Sequence, residues 1–151
     1  MRVKIAGSDD GGEQSSFGRV QSGVAAAFLG MPDEAYGRLQ AMAVKRSMYP
    51  SLITSHEPNA EIFNTDGNGG IPQIVNTMLL FSRPDQMDLL PALPAAWPAG
   101  KVTGLRARGG FTVDIEWQHG KVTNYHITAP QARDIKVRVN GKVKIVRAEA
   151  R

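Results

Sequence analysis

The segment Glu61-Ile-Phe-Asn-Thr-Asp-Gly-Asn-Gly-Gly70 gathers carboxylates, carboxamides and glycines just ahead of an apolar helical pattern. A helix N-terminus offers free N–H groups and the positive end of the peptide dipole. Glycines let backbone come close to a ligand. In such a place Asp66 can orient a water or a neighbouring amide, and Asn64 and Asn68 can hold hydroxyls. The same residue types also build turns and N-caps. Spacing alone leaves both readings open. A dinucleotide fingerprint is excluded, because the glycine spacing is wrong and no strand precedes it. His56 can hydrogen-bond a sugar or satisfy a loop carbonyl. Glu57 and Glu61 stand four apart, but Pro58 opposes the helix that would bring both to one face. Asp9 and Asp10 form an acidic pair that reads as part of a flexible tail.

Composition narrows the chemistry. The chain has 151 residues, of which 42% are hydrophobic and 21% charged, a globular balance. It contains 0 cysteines, which excludes disulfide scaffolds, thiolate nucleophiles and cysteine metal sites. The 3 histidines, His56, His119 and His126, are scattered, which argues against a histidine-built zinc site. No metal site and no cofactor is expected. No apolar run approaches the roughly 18 residues that span a bilayer, so no membrane partner is expected. The N-terminus lacks the apolar core of a signal peptide, and localisation stays open. The net charge of +4 is uneven, being negative through Arg83 and positive from Pro84 onward. The basic residues alternate with apolar ones, as on a solvated sheet face, so nucleic acid is not the expected partner.

The elements that must position these residues change character midway. Phe17, Val20, Val24, Ala27 and Phe28 recur at helical spacing, and Gly30 with Pro32 punctuates the end. Pro32, Asp33 and Glu34 suit the first turn of a second helix carrying Ala35, Leu39, Met42 and Ala43 on one face. A loop running to Gly70 then leads to a third helix through Ile71, Ile74, Val75, Met78 and Leu79. Pro91, Pro94 and Pro98, with Pro84 upstream, make residues 84–100 an extended connector packed by Leu89, Leu90, Leu93 and Trp97.

Beyond the connector the period is two. Trp97 and Trp117 can each serve as a sugar-stacking platform, but Phe111, Val113, Ile115 and Trp117 alternate with polar residues, so Trp117 reads more readily as core. Arg106 and Arg108 sit at alternate positions of a strand, as a binding patch or as partners of acids across strands. His119-Gly120 and Asn140-Gly141 signal hairpins. The expected fold class is α+β, with helices in residues 1–83 and a small antiparallel β-sandwich in residues 84–151. Three helices of this size bury a poor core alone, so the helical part reads as incomplete.

The run LLPALPAAWPAGKVTGLRARGGFTVDIEW, Leu89 to Trp117, closely resembles the C-terminal signature of glycoside hydrolase family 95. These are α-L-fucosidases, some acting on α-L-galactosides. FNTDGNGG, Phe63 to Gly70, is similar to the family's aromatic-polar-apolar-Asp-Gly-Asn motif. The likeness runs from about Phe17 to Thr128. It departs where His56-Glu-Pro stands for the family's His-Pro-Pro, where Thr65 stands for an apolar residue, and where Gly69 replaces an aromatic.

The resemblance implies that the helices are the end of an (α/α)6 barrel and that a C-terminal β domain follows. It implies an inverting mechanism, in which a glutamic acid protonates the leaving oxygen while water attacks from the opposite face. Asp66 would be the water-side aspartate, polarising the amide that takes the water's proton. The general acid would come from barrel segments absent from this sequence, supplied in cis or in trans. The implied substrate is an oligosaccharide or glycan with α-linked fucose or a related sugar, with Asn64, Asn68 and His56 as candidate contacts. A non-catalytic carbohydrate-binding or interaction module is the rival reading.

Overall fold

The computed structural model describes residues 15–44, 47–57 and 62–151, with the side chain of Val44 excepted. Asp9, Asp10, Pro58 and Glu61 lie outside the described residues. The chain divides between Thr77 and Met78 into two compact units.

The first unit is built on helices α1 (Ser16–Phe28), α2 (Pro32–Val44) and α3 (Thr65–Leu79), the last running two residues into the second unit. Ser15 caps α1, its hydroxyl accepting from the Gly18 N–H at 3.2 Å. Gly30, at φ +67°, closes α1, with Gly30 N–H donating to Ala27 and Met31 N–H to Ala26. That pair of bonds is a Schellman ending, available to a residue that tolerates the left-handed conformation. Pro32 opens α2 with Asp33 and Glu34 in its first turn, and Ala35 and Met42 are fully buried.

The buried face of α1 is rotated from the one its large apolar residues suggest. Val20 and Ala27 are buried, but Phe17 and Phe28 are exposed, and Ser16, Ser22, Gly23 and Ala26 face inward instead. Small residues win there because the helices approach closely. A Cβ on Gly23 would come within 2.7 Å of Ile74 Cδ1, and one on Gly70 would collide with Val20. A methyl group forced into such contacts costs typically 1–3 kcal/mol.

The second unit is a single seven-stranded sheet. Its strands are β1 (Leu80–Ser82), β2 (Gln86–Leu89), β3 (Gly100–Ala107), β4 (Phe111–Gln118), β5 (Lys121–Ala129), β6 (Arg133–Val139) and β7 (Lys142–Ala150). Their spatial order is β1-β2-β6-β7-β5-β4-β3. The pairs β2–β6 and β5–β7 are parallel, and the others are antiparallel. The sheet curls until its two end strands come together, and the Arg108 N–H just past β3 donates to Ser82 Oγ at 3.0 Å.

The α+β class therefore holds, but the antiparallel sandwich is replaced by one mixed, nearly closed, barrel-like sheet. The hairpin signals themselves are accurate. His119-Gly120 has φ of 52° and 71°, and Asn140-Gly141 has 49° and 81°, the left-handed pairs that a two-residue hairpin needs. Such signals specify only neighbours in sequence. The parallel pairings join strands far apart in the chain and leave no local mark. One strand, β2, also arises inside the expected connector, and β1 falls within the residues expected to be helical: Pro84 precedes β2, and Pro91, Pro94 and Pro98 fall beyond Leu89, outside any strand.

The interior of the sheet is apolar. Phe111, Val113, Ile115 and Trp117 of β4 point inward with Met87, Leu89, Ile127, Ala129, Ile135, Val137 and Ala148. Trp117 is core, and its Nε1–H donates to the Trp97 carbonyl at 3.0 Å. Much of the basic charge is held on the outer surface. Asp88 accepts from Arg83, Gln86 and Arg138. Arg147 pairs with Asp134, and the Arg133 guanidinium lies over the Phe111 ring at 4.3 Å. Lys101 meets Glu116 at 2.7 Å, and that hydrogen bond and charge raise the lysine's pKa.

Candidate functional site

Helix α3 begins at Thr65, inside the stretch that reads as loop through Gly70. The glycines do not delay it, because two of them are required by packing. Gly70 meets Val20 of α1, and a Cβ on Gly67 would lie 2.5 Å from Thr54 Oγ1. Tertiary contact overrides their poor helix propensity. Asp66 is thereby placed in the first turn of a helix, where its negative charge complements the free N–H groups.

Asn64 holds the N-cap. Its Oδ1 accepts from the Gly67 N–H at 2.9 Å, the third helical residue. Its Nδ2 lies 2.9 Å from His56 Nδ1. With the amide donating, His56 Nδ1 is the acceptor and Nε2 the ring's donor. Asn68 Oδ1 accepts from the Thr54 N–H at 2.9 Å, and Asn68 Nδ2 donates to the Leu52 carbonyl at 2.8 Å. The Thr54 hydroxyl stands 2.5 Å from the Asn64 carbonyl and 2.8 Å from Asn68 Oδ1. Its single proton serves one of them at a time.

Three of the four site residues expected from sequence, Asn64, Asn68 and His56, thus share one network centred on the buried Thr54. Thr54 was not among the expected residues. Its part is set by bridges from Thr54 to Met48 and from Ser55 to Phe63, pairings with no periodic signature. Glu57 is exposed.

Asp66 is not drawn into that network. It is exposed and faces a groove of about 420 Å³ between α1 and α3. One stripe of α3 (Asp66, Gly69, Gly70 and Gln73) and one of α1 (Phe17, Val20 and Gln21) line it, with Thr65. Both stripes follow the i, i+3, i+4 spacing of a helix face. The groove pairs an apolar wall with carboxylate, amide and hydroxyl groups. Among the described residues, no three or more histidines, cysteines or acids converge as a metal site.

Residues 81–151 match the family described as glycoside hydrolase family 95, C-terminal domain. Alpha-L-fucosidase 2 of Arabidopsis thaliana is 39% identical over 95 residues, covering 62% of this chain and 11% of that protein. Probable alpha-fucosidase A of Aspergillus oryzae is 33% identical over 106 residues, covering 63% of this chain and 15% of that protein. The protein of the same description from Aspergillus niger is 31% identical over 109 residues, covering 65% and 14%. The chain spans between 11% and 15% of the length of these relatives.

Proposed function

We propose, from the premise that residues 81–151 belong to the glycoside hydrolase family 95 C-terminal domains, that this chain is the C-terminal portion of an inverting, α-L-fucosidase-like glycoside hydrolase. Its helices close the end of an (α/α)6 barrel, and Asp66 serves the water side of the active site. The observation that carries this reading is a division of labour at the start of α3. Asn64 caps the helix, so the exposed Asp66 carboxylate is not needed for that task.

In this mechanism Asp66 polarises a carboxamide contributed by the barrel, and that amide takes the proton of the attacking water. A barrel glutamic acid protonates the leaving oxygen from the other face. Asn64, Asn68 and His56 retain N–H groups beyond their internal bonds, and these are the proposed contacts to sugar hydroxyls. The substrate is a glycan bearing α-linked fucose or a related sugar.

Barrel dependence tests the proposal. The 151-residue chain alone should not hydrolyse an aryl α-L-fucoside above the buffer rate, and joining it to the barrel, or mixing the two, should produce turnover. Full activity of the isolated chain would contradict the account, because the acid would then reside within it. A joined protein that binds L-fucose and never turns over would establish the carbohydrate-binding module instead, which the same groove favours.

A further inference from the structure

We infer that the groove between α1 and α3 is a sugar-specificity site, in which Phe17 is the stacking platform, Gln21 and Gln73 read hydroxyls, and Gly69 keeps the space for the ring. This deepens the proposed function and rests on the reading of Asp66 as facing a glycan.

The groove's volume, about 420 Å³, lies in the range of small-ligand sites, roughly 300–1,000 Å³. Its chemistry is two-sided. Phe17 is a large aromatic left 42% exposed on the first turn of α1, and Val20 continues its wall. A pyranose has an apolar C–H face that stacks on such a ring and a hydroxyl edge that needs donors and acceptors. Gln21 and Gln73 supply both, since each amide is donor and acceptor at once. Both side chains are exposed, and no hydrogen bond commits either amide among the described residues.

Gly69 is the discriminating residue. Gly67 and Gly70 in the same helix are demanded by Thr54 and Val20, whereas a Cβ on Gly69 meets nothing within 4 Å. A helical glycine costs about 1 kcal/mol against alanine, and at Gly69 no neighbour in the fold requires it. What it leaves is open room on the wall of the groove, one helical turn beyond Asp66.

The test is a titration of the ¹⁵N-labelled 151-residue chain with free L-fucose, followed by amide shifts in NMR. The shifts should concentrate at Phe17, Gln21, Gly69 and Gln73. Gly69→Leu, which fills the groove, and Phe17→Ala, which removes the platform, should each weaken binding about tenfold, the equivalent of 1.4 kcal/mol. Gly37→Ala, on α2 in open space, should bind as the unaltered chain does and shows that a helix substitution by itself is harmless. Shifts absent, or confined to other surfaces, would overturn the inference. So would unweakened binding by both groove variants. The failure of the proposed function reads out separately, as absent barrel-dependent turnover, whichever way the titration falls.

Discussion

Asp66→Asn lowers turnover of an aryl α-L-fucoside by about 10²–10⁴-fold in the barrel-joined protein, the range general acid–base catalysis contributes. The substitution keeps size and shape and removes the negative charge that, in the proposed mechanism, polarises the proton-accepting amide. Substrate binding does not depend on that charge, so KM stays nearly constant while kcat falls. Folding should also survive. The helix cap belongs to Asn64, and Asp66 is exposed. Loss of one acid near a helix N-terminus costs only about 0.3–1 kcal/mol. Parallel measurement of kcat and thermal unfolding checks both halves. A variant with ordinary turnover would remove Asp66 from the mechanism, and one that unfolds would make it a structural residue.

Trp117→Ala should have the largest effect on stability, about 3–5 kcal/mol, the range for deleting a buried aromatic. Trp117 is only 6% exposed at the end of β4, and a Cβ on Gly100 would collide with its indole. Its removal therefore opens a cavity against backbone that cannot collapse to fill it. The indole N–H also donates to the Trp97 carbonyl, anchoring the proline-rich turn region to the sheet. Trp117→Phe should retain most of the packing and lose that bond, worth about 0.5–1.5 kcal/mol. Urea unfolding of the three proteins measures the ladder. A loss below about 1 kcal/mol for Trp117→Ala would contradict the placement of this side chain in the core.

These residues also show what kind of information the chain carries locally. The end of α1 at Gly30, the start of α2 at Pro32 and the two hairpins at Gly120 and Gly141 are legible because each rests on the conformation of one or two residues. The start of α3 is misread for the converse reason. Its glycines look like loop, and only the nearness of Val20 and Thr54 explains them. The sheet follows the same division: its hairpins are visible, while the parallel partners of β2 and β5 are not.

At the site, Asn64, Asp66, Asn68 and His56 stand close in sequence, and their residue types announce polar chemistry. Spacing did not reveal that Asn64 would take the cap and leave Asp66 exposed. Nor did it show the opposite wall of the groove. Phe17 reads as a core residue from its period in α1, and it reaches the groove because small residues rotate that helix.

The most direct test of the account is the configuration of the sugar released first. Proton NMR of the barrel-joined protein, acting on an α-L-fucoside, distinguishes the anomers before they equilibrate. Attack by water on the face opposite the leaving group predicts β-L-fucose as the initial product. Initial release of α-L-fucose would mean a covalent intermediate and a nucleophile, and the water-side role assigned to Asp66 would be wrong.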